Sequence, residues 1–371
     1  MKIVFVTNFL NHHQLPLCEE FLKYADFKFV AMQKVPQNRL DMGYLDMNEQ
    51  YPFVVKTYKG EDCSILVNEA DVVIANGIES IPYIKQRLQD DKITFIYSER
   101  LYKRGVLRRL NPRAYLYVKH LFLDYKKNKN FYVLCASAYT SFDLSLWGFP
   151  KEKCLKWGYF PRIETTFTKR INPVLELVWT GRFLKWKHPE KALIIAQYLE
   201  DNHIKYHLTM IGVGPLQKEL EEKAKSLNIS FTGSVHPDEV YKYMKKSDIF
   251  LFTSDFNEGW GAVLNEAMYE GCSCIASSAA GATYYLVSNN ENGLIYDFRD
   301  DKDLIDKVMY LANHKNVREE IGEKAFYTIQ NMWNAEVAVN RLIKLIESNF
   351  DLRLYTDGPC SLAEIIKPKQ L

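Results

Sequence analysis

The sequence lacks the short motifs and long apolar runs that identify several common classes of protein. Its seven cysteines are scattered without a Cys-x-x-Cys pair, and this odd, unpatterned set favours reduced thiols in a cytosolic protein over a disulfide framework. No Gly-x-Gly-x-x-Gly follows the first apolar run, so the nicotinamide-binding fingerprint is absent. No stretch approaches the roughly 18–20 apolar residues of a membrane-spanning helix, and residues 1–6 predict a strand rather than a signal peptide. We therefore expect a cytoplasmic protein that is at most peripheral to a membrane.

The sequence also lacks a strong excess of charge. The formal net charge is +2 over 371 residues, of which 47% are hydrophobic, so wholesale disorder is excluded and a dedicated nucleic-acid binder is not favoured. The length exceeds that of one typical domain and predicts two or so.

Strand-like and helix-like segments alternate in two successive series. In the first series, strands are predicted at residues 2–6, 27–32, 54–57, 71–75, 94–97 and 132–136. In the second series, strands are predicted at residues 175–179, 206–211, 229–232, 249–252, 273–276 and 293–296. This alternation is typical of parallel sheets with helical crossovers. The predicted class is α/β, with two Rossmann-like βαβ domains at residues 1–168 and 169–350 that face each other across a ligand-binding cleft, the boundary falling near 165–172. The remaining residues, 351–371, are predicted to form a tail that packs back on the first domain.

One stretch organises the second series. The apolar run 249–252 is followed by Glu258, by Gly259-Trp260-Gly261, and by a helix-favouring run from Ala262 that ends at Gly271. A helix amino terminus that follows the carboxyl end of a strand binds anions, phosphate above all.

Two acids, Glu258 and Glu266, accompany this predicted anion site. Each alone is explained by complementing the helix dipole or by ordinary solvation. As an ordered set with the glycines, they favour carboxylates that accept hydrogen bonds from sugar hydroxyls beside a phosphate.

A second loop supplies positive charge. Gly181 and Arg182 follow the predicted strand 175–179, and Lys187 comes five residues later, with Lys185 as a competitor for its role. Arginine binds phosphate oxygens with two donors and lysine acts as a point charge, so the pair would neutralise a diphosphate without a metal ion.

Several motifs of the second half resemble those of a known family. In order they are Gly-Arg-Phe with Lys187, Ile-Gly-Val-Gly-Pro at 211–215, Phe-Thr-Gly-Ser-Val at 231–235, the Glu258–Glu266 spacing, and Glu-Asn-Gly-Leu-Ile-Tyr at 291–296. Together they resemble the donor-binding half of retaining GT-B glycosyltransferases of the GT4-type (glycosyl transferases group 1) family, over about residues 175–345.

This resemblance implies a nucleotide-diphosphate sugar as donor, retention at the anomeric carbon, and no metal or other cofactor. It implies that Arg182 and Lys187 hold the diphosphate and that Glu266 binds the ribose hydroxyls. The remaining donor-binding positions that it implies are Gly181, Gly212, Gly233, Ser234, Val235, Glu258, Gly259, Trp260, Gly261, Ala262 and Val263. Of these, the loop at 233–235 would lie near the base.

The first half resembles the acceptor domain of bacterial surface-polysaccharide glycosyltransferases. The resemblance rests on Asn11-His12-His13-Gln14, Ser98-Glu99-Arg100 and the stretch 157–161. Many relatives carry a Gly-rich loop where Asn-His-His-Gln stands here, so no backbone phosphate cradle is expected from this side. His13 and Glu99 are candidate catalytic or acceptor-orienting groups, and a salt bridge from Glu99 to Arg100 or Lys103 is the alternative for Glu99.

Residues 101–130 carry nine Lys or Arg and one acid, Asp124, with Leu, Val, Phe and Tyr interleaved. Such a stretch lies on an anionic membrane surface or forms a solvated basic face. RNA binding is a third option, although no RNA-binding motif accompanies the charge. The residues Lys103, Arg104, Arg108 and Arg109 of this stretch, with Asn11 and His12, are predicted to lie on the acceptor or membrane side.

We therefore predict a retaining, metal-independent glycosyltransferase of the hexosyltransferase type. It would transfer a sugar from a UDP- or GDP-sugar to a saccharide acceptor, lipid-linked, in the synthesis of a capsule, O-antigen or similar cell-surface polysaccharide. Two alternatives remain: a nucleotide-sugar hydrolase or epimerase with the same fold, and a non-catalytic nucleotide-sugar-binding partner of a transferase.

Overall fold

The computed structural model describes residues 1–40, 45–163, 166–168 and 172–369, which divide into two compact units. Unit 1 comprises Met1–Arg162 and Ala335–Lys367. Unit 2 comprises Ile163–Asn334, and Pro368 and Lys369 also belong to it. Part of the predicted boundary near 165–172, namely residues 165 and 169–171, lies outside the described residues.

Within the described residues, the sheet of unit 1 has seven strands in the order β3-β2-β1-β4-β5-β6-β7, and every neighbouring pair is parallel. The strands are β1 Lys2–Thr7, β2 Asp26–Ala31, β3 Val54–Lys56, β4 Val72–Asn76, β5 Thr94–Ser98, β6 Phe131–Cys135 and β7 Cys154–Lys156. The central strands are buried on both faces, which explains their continuous apolar sequences.

The helices of unit 1 surround this sheet. They are α1 Leu15–Tyr24, α2 Gln37–Leu40, α3 Met47–Gln50, α4 Ser64–Glu69, α5 Ile81–Gln89, α6 Pro112–Leu121, α7 Thr140–Ser145 and, much later in the chain, α15 Ala335–Glu347. The order of the strands reverses between β1 and β4, so the loops that follow these two strands lie at the topological switch point of the sheet.

The sheet of unit 2 has the order β10-β9-β8-β11-β12-β13 and is also parallel throughout its described pairs. Its strands are β8 Leu175–Thr180, β9 Tyr206–Ile211, β10 Ile229–Gly233, β11 Ile249–Phe252, β12 Ser273–Ser277 and β13 Leu294–Tyr296. Its helices are α8 Glu190–Asp201, α9 Gln217–Lys223, α10 Pro237–Lys246, α11 Ala262–Tyr269, α12 Thr283–Leu286, α13 Asp301–Asn313 and α14 Lys315–Asn331. The strand order reverses between β8 and β11, as in a Rossmann fold. The two predicted Rossmann-like α/β domains are thereby confirmed.

The predicted second domain ran to residue 350, and in this respect the structure differs. Helix α15 belongs to unit 1, where it packs against α1 and buries Ala338, Val339, Leu342 and Leu345. Just beyond it, Phe350 stacks on Tyr132 of β6, with ring centroids 4.2 Å apart. Helix α15 therefore belongs to unit 1 and not to unit 2, because its apolar face completes the core of the first sheet.

Residues 351–367 also belong to unit 1. Leu362 forms an antiparallel bridge with Leu155 of β7, and the backbone amide of Ala363 donates to the Cys154 carbonyl at 2.9 Å. The buried Lys156 side chain pairs with Asp357 at 2.9 Å and with Glu364 at 2.8 Å. This segment covers the edge strand of the sheet, where unpaired backbone groups would otherwise be exposed.

Candidate active site

The helix start that follows β11 depends on Gly261. This residue is the N-cap of α11 at φ +94°, a conformation that residues with a side chain rarely adopt. A Cβ at this position would lie 2.3 Å from a ring carbon of Phe252, so the turn also requires the absence of a side chain. The preceding Trp260 is buried, and its indole N–H donates to Asn265 Oδ1 at 2.7 Å. The first turn of α11 is thus held in place by its neighbours in sequence.

The loop that follows β8 approaches the loop after β9 at close range. The amide of Gly181 donates to the Ile211 carbonyl at 3.0 Å. A Cβ on Gly212, at φ +132°, would lie 2.0 Å from the Gly181 carbonyl oxygen. The amide of Gly212 donates in turn to the carbonyl of Gly233, which has φ +71°. Three of the predicted donor-binding glycines therefore meet along one carboxyl edge of the sheet.

The loops after β8 and β11 are joined by an ion pair between Lys187 and Glu258. The Lys187 ammonium contacts Glu258 Oε2, and Ser254 Oγ donates to the same oxygen at 2.9 Å. Glu258 is only 8% exposed, so its charge depends on these partners. The Lys187 carbonyl accepts from Thr253 Oγ1 at 2.7 Å. Two predicted site residues from separate loops are thus brought together at the switch point of the sheet.

Lys187 is the lysine that reaches Glu258, whereas its competitor Lys185 is exposed and makes no described contact with that carboxylate. Arg182 is exposed, and no acid lies within 4 Å of its guanidinium among the described residues. The site therefore offers one cation that is already paired, Lys187, and one that faces water, Arg182.

His188 is a member of this site that the sequence did not suggest. It has φ +51°, and its Nδ1 lies 2.6 Å from Glu190 while its Nε2 lies 3.6 Å from Asp255. Burial alone would lower the pKa of His188, but hydrogen bonds and charges from the two carboxylates outweigh it and raise the pKa to about 9. The amide of Asp255 also donates to the Trp186 carbonyl at 2.9 Å. The charged His188 side chain therefore links the loop that contains Lys187 to the loop that contains Glu258.

Glu266 lies inside α11 and is half-buried. Removal of water by the surrounding protein raises its pKa to about 7, and a hydrogen bond from Tyr241 of α10 opposes that rise. Tyr241 was not predicted, because it lies on a separate helix with no motif of its own. Of the other predicted positions, Gly259 is buried, Ala262, Val263 and Val235 are half-buried, and Ser234 is exposed.

The histidines of unit 1 lie in the loop after β1. The rings of His12 and His13 are 3.8 Å apart, and His13 lies 5.8 Å from the ring of Tyr159. The amide of His13 donates to Asn11 Oδ1 at 3.0 Å, so Asn11 shapes this turn. Burial and electrostatic repulsion from His12 and Arg39 lower the pKa of His13 to about 3. His13 is neutral at neutral pH and is a very weak base.

Glu99 follows β5 and is held by two partners. Lys103 Nζ contacts Glu99 Oε2 at 2.6 Å, and the Tyr159 hydroxyl donates to Oε1 at 3.2 Å. The neighbouring Arg100 pairs with Asp143, both of them buried. The structure thus contains the salt bridge to Lys103 that was one of the two interpretations of Glu99.

Part of the basic stretch 101–130 is exposed, whereas Lys103 is half-buried. Arg104, Arg108 and Arg109 are exposed, and so are Leu107 at 69% and Leu110 at 74%. None of the helices within the described ranges combines the length and the apolar character needed to cross a bilayer.

Comparison with known structures defines the class of this fold. The chain matches HepE of Anabaena in complex with UDP at 15% identity and a TM-score of 0.69, over 94% of this chain and 100% of the other. It matches the lipopolysaccharide outer core galactosyltransferase WaaB at 17% identity and a TM-score of 0.68, with the same coverage. At such identities the likeness shows the fold alone, which is the GT-B architecture of two Rossmann-like domains.

The sequence comparisons show what the second half is similar to. Residues 168–327, less than half of the chain, match the family model of glycosyl transferases group 1. The chain is 31% identical, over 165 residues, to an N-acetylgalactosaminyltransferase of Campylobacter jejuni whose name specifies an undecaprenol-linked acceptor. It is 28% identical, over 138 residues, to the sulfoquinovosyl transferase of Arabidopsis thaliana. The matched parts cover 44% and 37% of this chain, and only 45% and 27% of those relatives.

Proposed function

We propose that this protein is a retaining glycosyltransferase that transfers a sugar from a nucleotide-diphosphate sugar, with UDP or GDP as the nucleotide, to a saccharide acceptor. The observation that carries this proposal is the contact between Lys187 and Glu258 beside the amino terminus of α11. This contact brings a cation and a carboxylate next to helix N–H groups at the switch point of a Rossmann-like sheet. A ligand with both a phosphate and sugar hydroxyls would bind all three kinds of group.

In this proposal each group acts on a different part of the donor. Arg182 and Lys187 stabilise the negative charge that develops on the leaving diphosphate. Glu258 and the backbone of residues 259–263 hold the transferred sugar and its phosphate. Glu266 accepts hydrogen bonds from the ribose, and the loop 233–235 lies beside the base.

The proposed reaction needs neither a metal ion nor a protein nucleophile. The acceptor hydroxyl attacks the anomeric carbon from the face that the diphosphate leaves, and the departing phosphate oxygen takes the acceptor's proton. His13 is a poor candidate for a general base because its pKa is about 3. Glu99 already binds Lys103 and Tyr159, which favours an orienting role over proton transfer.

We further propose that the acceptor is lipid-linked and that the product is a cell-surface polysaccharide. The exposed Leu107 and Leu110 lie among arginines, a combination that binds the interface of an anionic bilayer. The protein would accordingly associate with the inner face of the cell membrane as a peripheral protein. The lipid-linked acceptor named for the Campylobacter relative is consistent with this hypothesis.

A ligand comparison followed by product analysis tests the proposal. Thermal shifts would be measured with UDP, GDP and their sugars, and the nucleotide that stabilises the protein identifies the donor. The selected donor would then be incubated with and without a saccharide acceptor. Transfer that requires the acceptor supports a transferase. Release of free sugar at the same rate without acceptor identifies a hydrolase, a changed sugar nucleotide identifies an epimerase, and binding without turnover identifies a non-catalytic partner.

A further inference from the structure

A pocket of about 730 Å³ opens within unit 1, at the carboxyl ends of β4 and β5. Its walls are formed by Asn76 at the end of β4 and Gly77 after it, by residues 97–103 around the end of β5, and by the start of α6. The pocket adjoins the switch point of the first sheet, the position at which parallel sheets bind ligands. The donor-binding residues proposed above all belong to unit 2, so the pocket shares no residue with them.

Only some of the positively charged side chains that line the pocket lie beside a carboxylate. Arg100 is compensated by Asp143, and Lys103 by Glu99. Arg108 and Arg113 also line the pocket, and no carboxylate lies within 4 Å of either guanidinium among the described residues. The pocket thus carries two uncompensated positive charges, and arginine is the side chain whose paired donors match the oxygens of a phosphate.

The rest of the lining is polar and aromatic. Burial and the nearby charge of Glu79 raise the pKa of Tyr117 to about 12, so its hydroxyl stays protonated and can donate. Tyr159 already donates to Glu99 and also lines the pocket. Aromatic rings with hydroxyl groups contact both the apolar faces and the hydroxyls of a sugar. The pocket therefore combines tyrosine side chains that can contact a sugar with arginine side chains that can bind an anionic group.

From this combination we infer that the pocket binds a saccharide that carries a phosphate or diphosphate, with Arg108 and Arg113 as the residues that recognise the anionic group. This inference rests on the proposed function, because the phosphorylated saccharide would be the acceptor or its carrier end. The same chemistry is found in a soluble sugar phosphate and in a saccharide on a lipid diphosphate, and the test separates the two.

The chain itself contains a matched control. Arg104 and Arg109 are exposed residues of the same basic stretch but do not line the pocket. The double substitutions R108Q/R113Q and R104Q/R109Q remove equal charge from the same basic stretch. A ligand bound in the pocket distinguishes them, whereas diffuse attraction to a basic surface does not.

The experiment measures binding to the full chain by calorimetry, with saturating UDP or GDP present to fill the donor site. The probes are α-glucose 1-phosphate for a soluble sugar phosphate, farnesyl diphosphate for a lipid-carried diphosphate, and glucose as the uncharged control. We expect both phosphates to bind more tightly than glucose. R108Q/R113Q should weaken them by about 10- to 100-fold, and R104Q/R109Q by less than about threefold.

Tighter binding of farnesyl diphosphate than of glucose 1-phosphate assigns the anion to a lipid carrier, and the reverse order assigns it to a soluble sugar phosphate. Either order supports the inference. Equal binding of glucose and the phosphates overturns it, as does an equal loss in the two double variants. Titration of each variant with UDP or GDP alone separates this result from the proposed function. If no nucleotide binds even the unaltered chain, the proposed donor site is wrong. If nucleotide binds normally but the phosphates bind no more tightly than glucose, only the inference about the pocket is refuted.

Discussion

Lys187 and Glu258 lie 71 residues apart in the sequence and form an ion pair at the carboxyl edge of the second sheet. Glu258 is also fixed by Ser254, and the Lys187 backbone by Thr253, so both groups are oriented by their own loops. A pre-oriented cation and carboxylate interact more strongly with a ligand than mobile groups do, because little reorganisation is needed when the ligand binds. Four of the predictions below concern this site directly.

The first prediction concerns turnover. Glu258→Ala and Arg182→Ala should each abolish detectable transfer, and the milder Glu258→Gln should lower kcat by about 10²- to 10³-fold, as expected when one group that stabilises the transition state is removed. Lys187→Ala should weaken nucleotide binding by about 10-fold or more, whereas its neighbour Lys185→Ala should have little effect. Initial rates and nucleotide titrations test this set. Full activity of Glu258→Ala or Arg182→Ala would refute the site assignment.

A second prediction follows from the pKa of Glu266, about 7. Ribose hydroxyls donate more strongly to a carboxylate than to a carboxylic acid, so nucleotide affinity should increase as Glu266 ionises between about pH 6 and about pH 8. Tyr241→Phe removes the hydrogen bond that lowers this pKa and should shift the midpoint to higher pH. Glu266→Gln should abolish the pH dependence. An unchanged profile in Glu266→Gln would exclude Glu266 as its origin.

The third prediction uses the raised pKa of His188. The folded-state pKa of about 9 exceeds the ordinary value of 6.5, so the stabilisation is fully present below about pH 6.5 and is lost as the pH rises through 9. We expect on the order of 1 kcal/mol, because a quarter of the side chain remains in contact with water. Urea unfolding at about pH 6 and pH 10 tests this. The free energy of unfolding of His188→Gln should change less between the two pH values than that of the unaltered chain.

Membrane association makes a fourth prediction. The protein should sediment with vesicles that contain anionic lipid at low salt, and added salt should release it because the attraction is screened. Substituting Leu107 and Leu110 by serine should weaken binding by removing the apolar contribution. Ile65 is similarly exposed, at 70%, but lies outside the basic stretch, so Ile65→Ser is the matched control. Failure of anionic vesicles to retain the protein would refute the membrane role.

The fifth prediction concerns metal ions. If Arg182 and Lys187 neutralise the diphosphate, prior treatment with EDTA should leave the transfer rate unchanged, and added Mg²⁺ or Mn²⁺ should not raise it. A rate that falls with EDTA and returns with a divalent ion would contradict the metal-independent mechanism.

Much of the fold could be predicted because both sheets are parallel and buried. Their strands are continuous apolar runs, and β9 and β11 begin and end at the predicted residues. The strand β7 was missed because Cys-Leu-Lys is too short and too polar to form such a run. The residues of α15 were assigned to the wrong unit because the period of a helix reveals only that one face is buried, not which sheet that face covers.

Site residues could be predicted only where several of them lie close together in the sequence and form a recognisable motif. One such segment contains Glu258, Gly259, Trp260 and Gly261, and another is the loop from Gly181 to Lys187. The pairing of Lys187 with Glu258, in preference to Lys185, depends on the turn of the chain between residues 185 and 188. The role of Tyr241 depends on Glu266 of another helix, and that of His188 depends on Asp255 of another loop as well as on its neighbour Glu190. No local pattern encodes the contacts with Glu266 and Asp255, so the sequence contains no signal for these two roles.

The position of α15 has a consequence for the order of folding during synthesis. Unit 2 is interposed between the two parts of unit 1, so all of its strands and helices are made before α15 leaves the ribosome. The first sheet must wait for α15 and residues 351–367 to cover its α1 face and its β7 edge. We therefore expect the later-encoded unit to reach its native state first, the reverse of the usual amino-terminal-first sequence of events. Until then the nascent first unit exposes an apolar surface of the kind that chaperones bind.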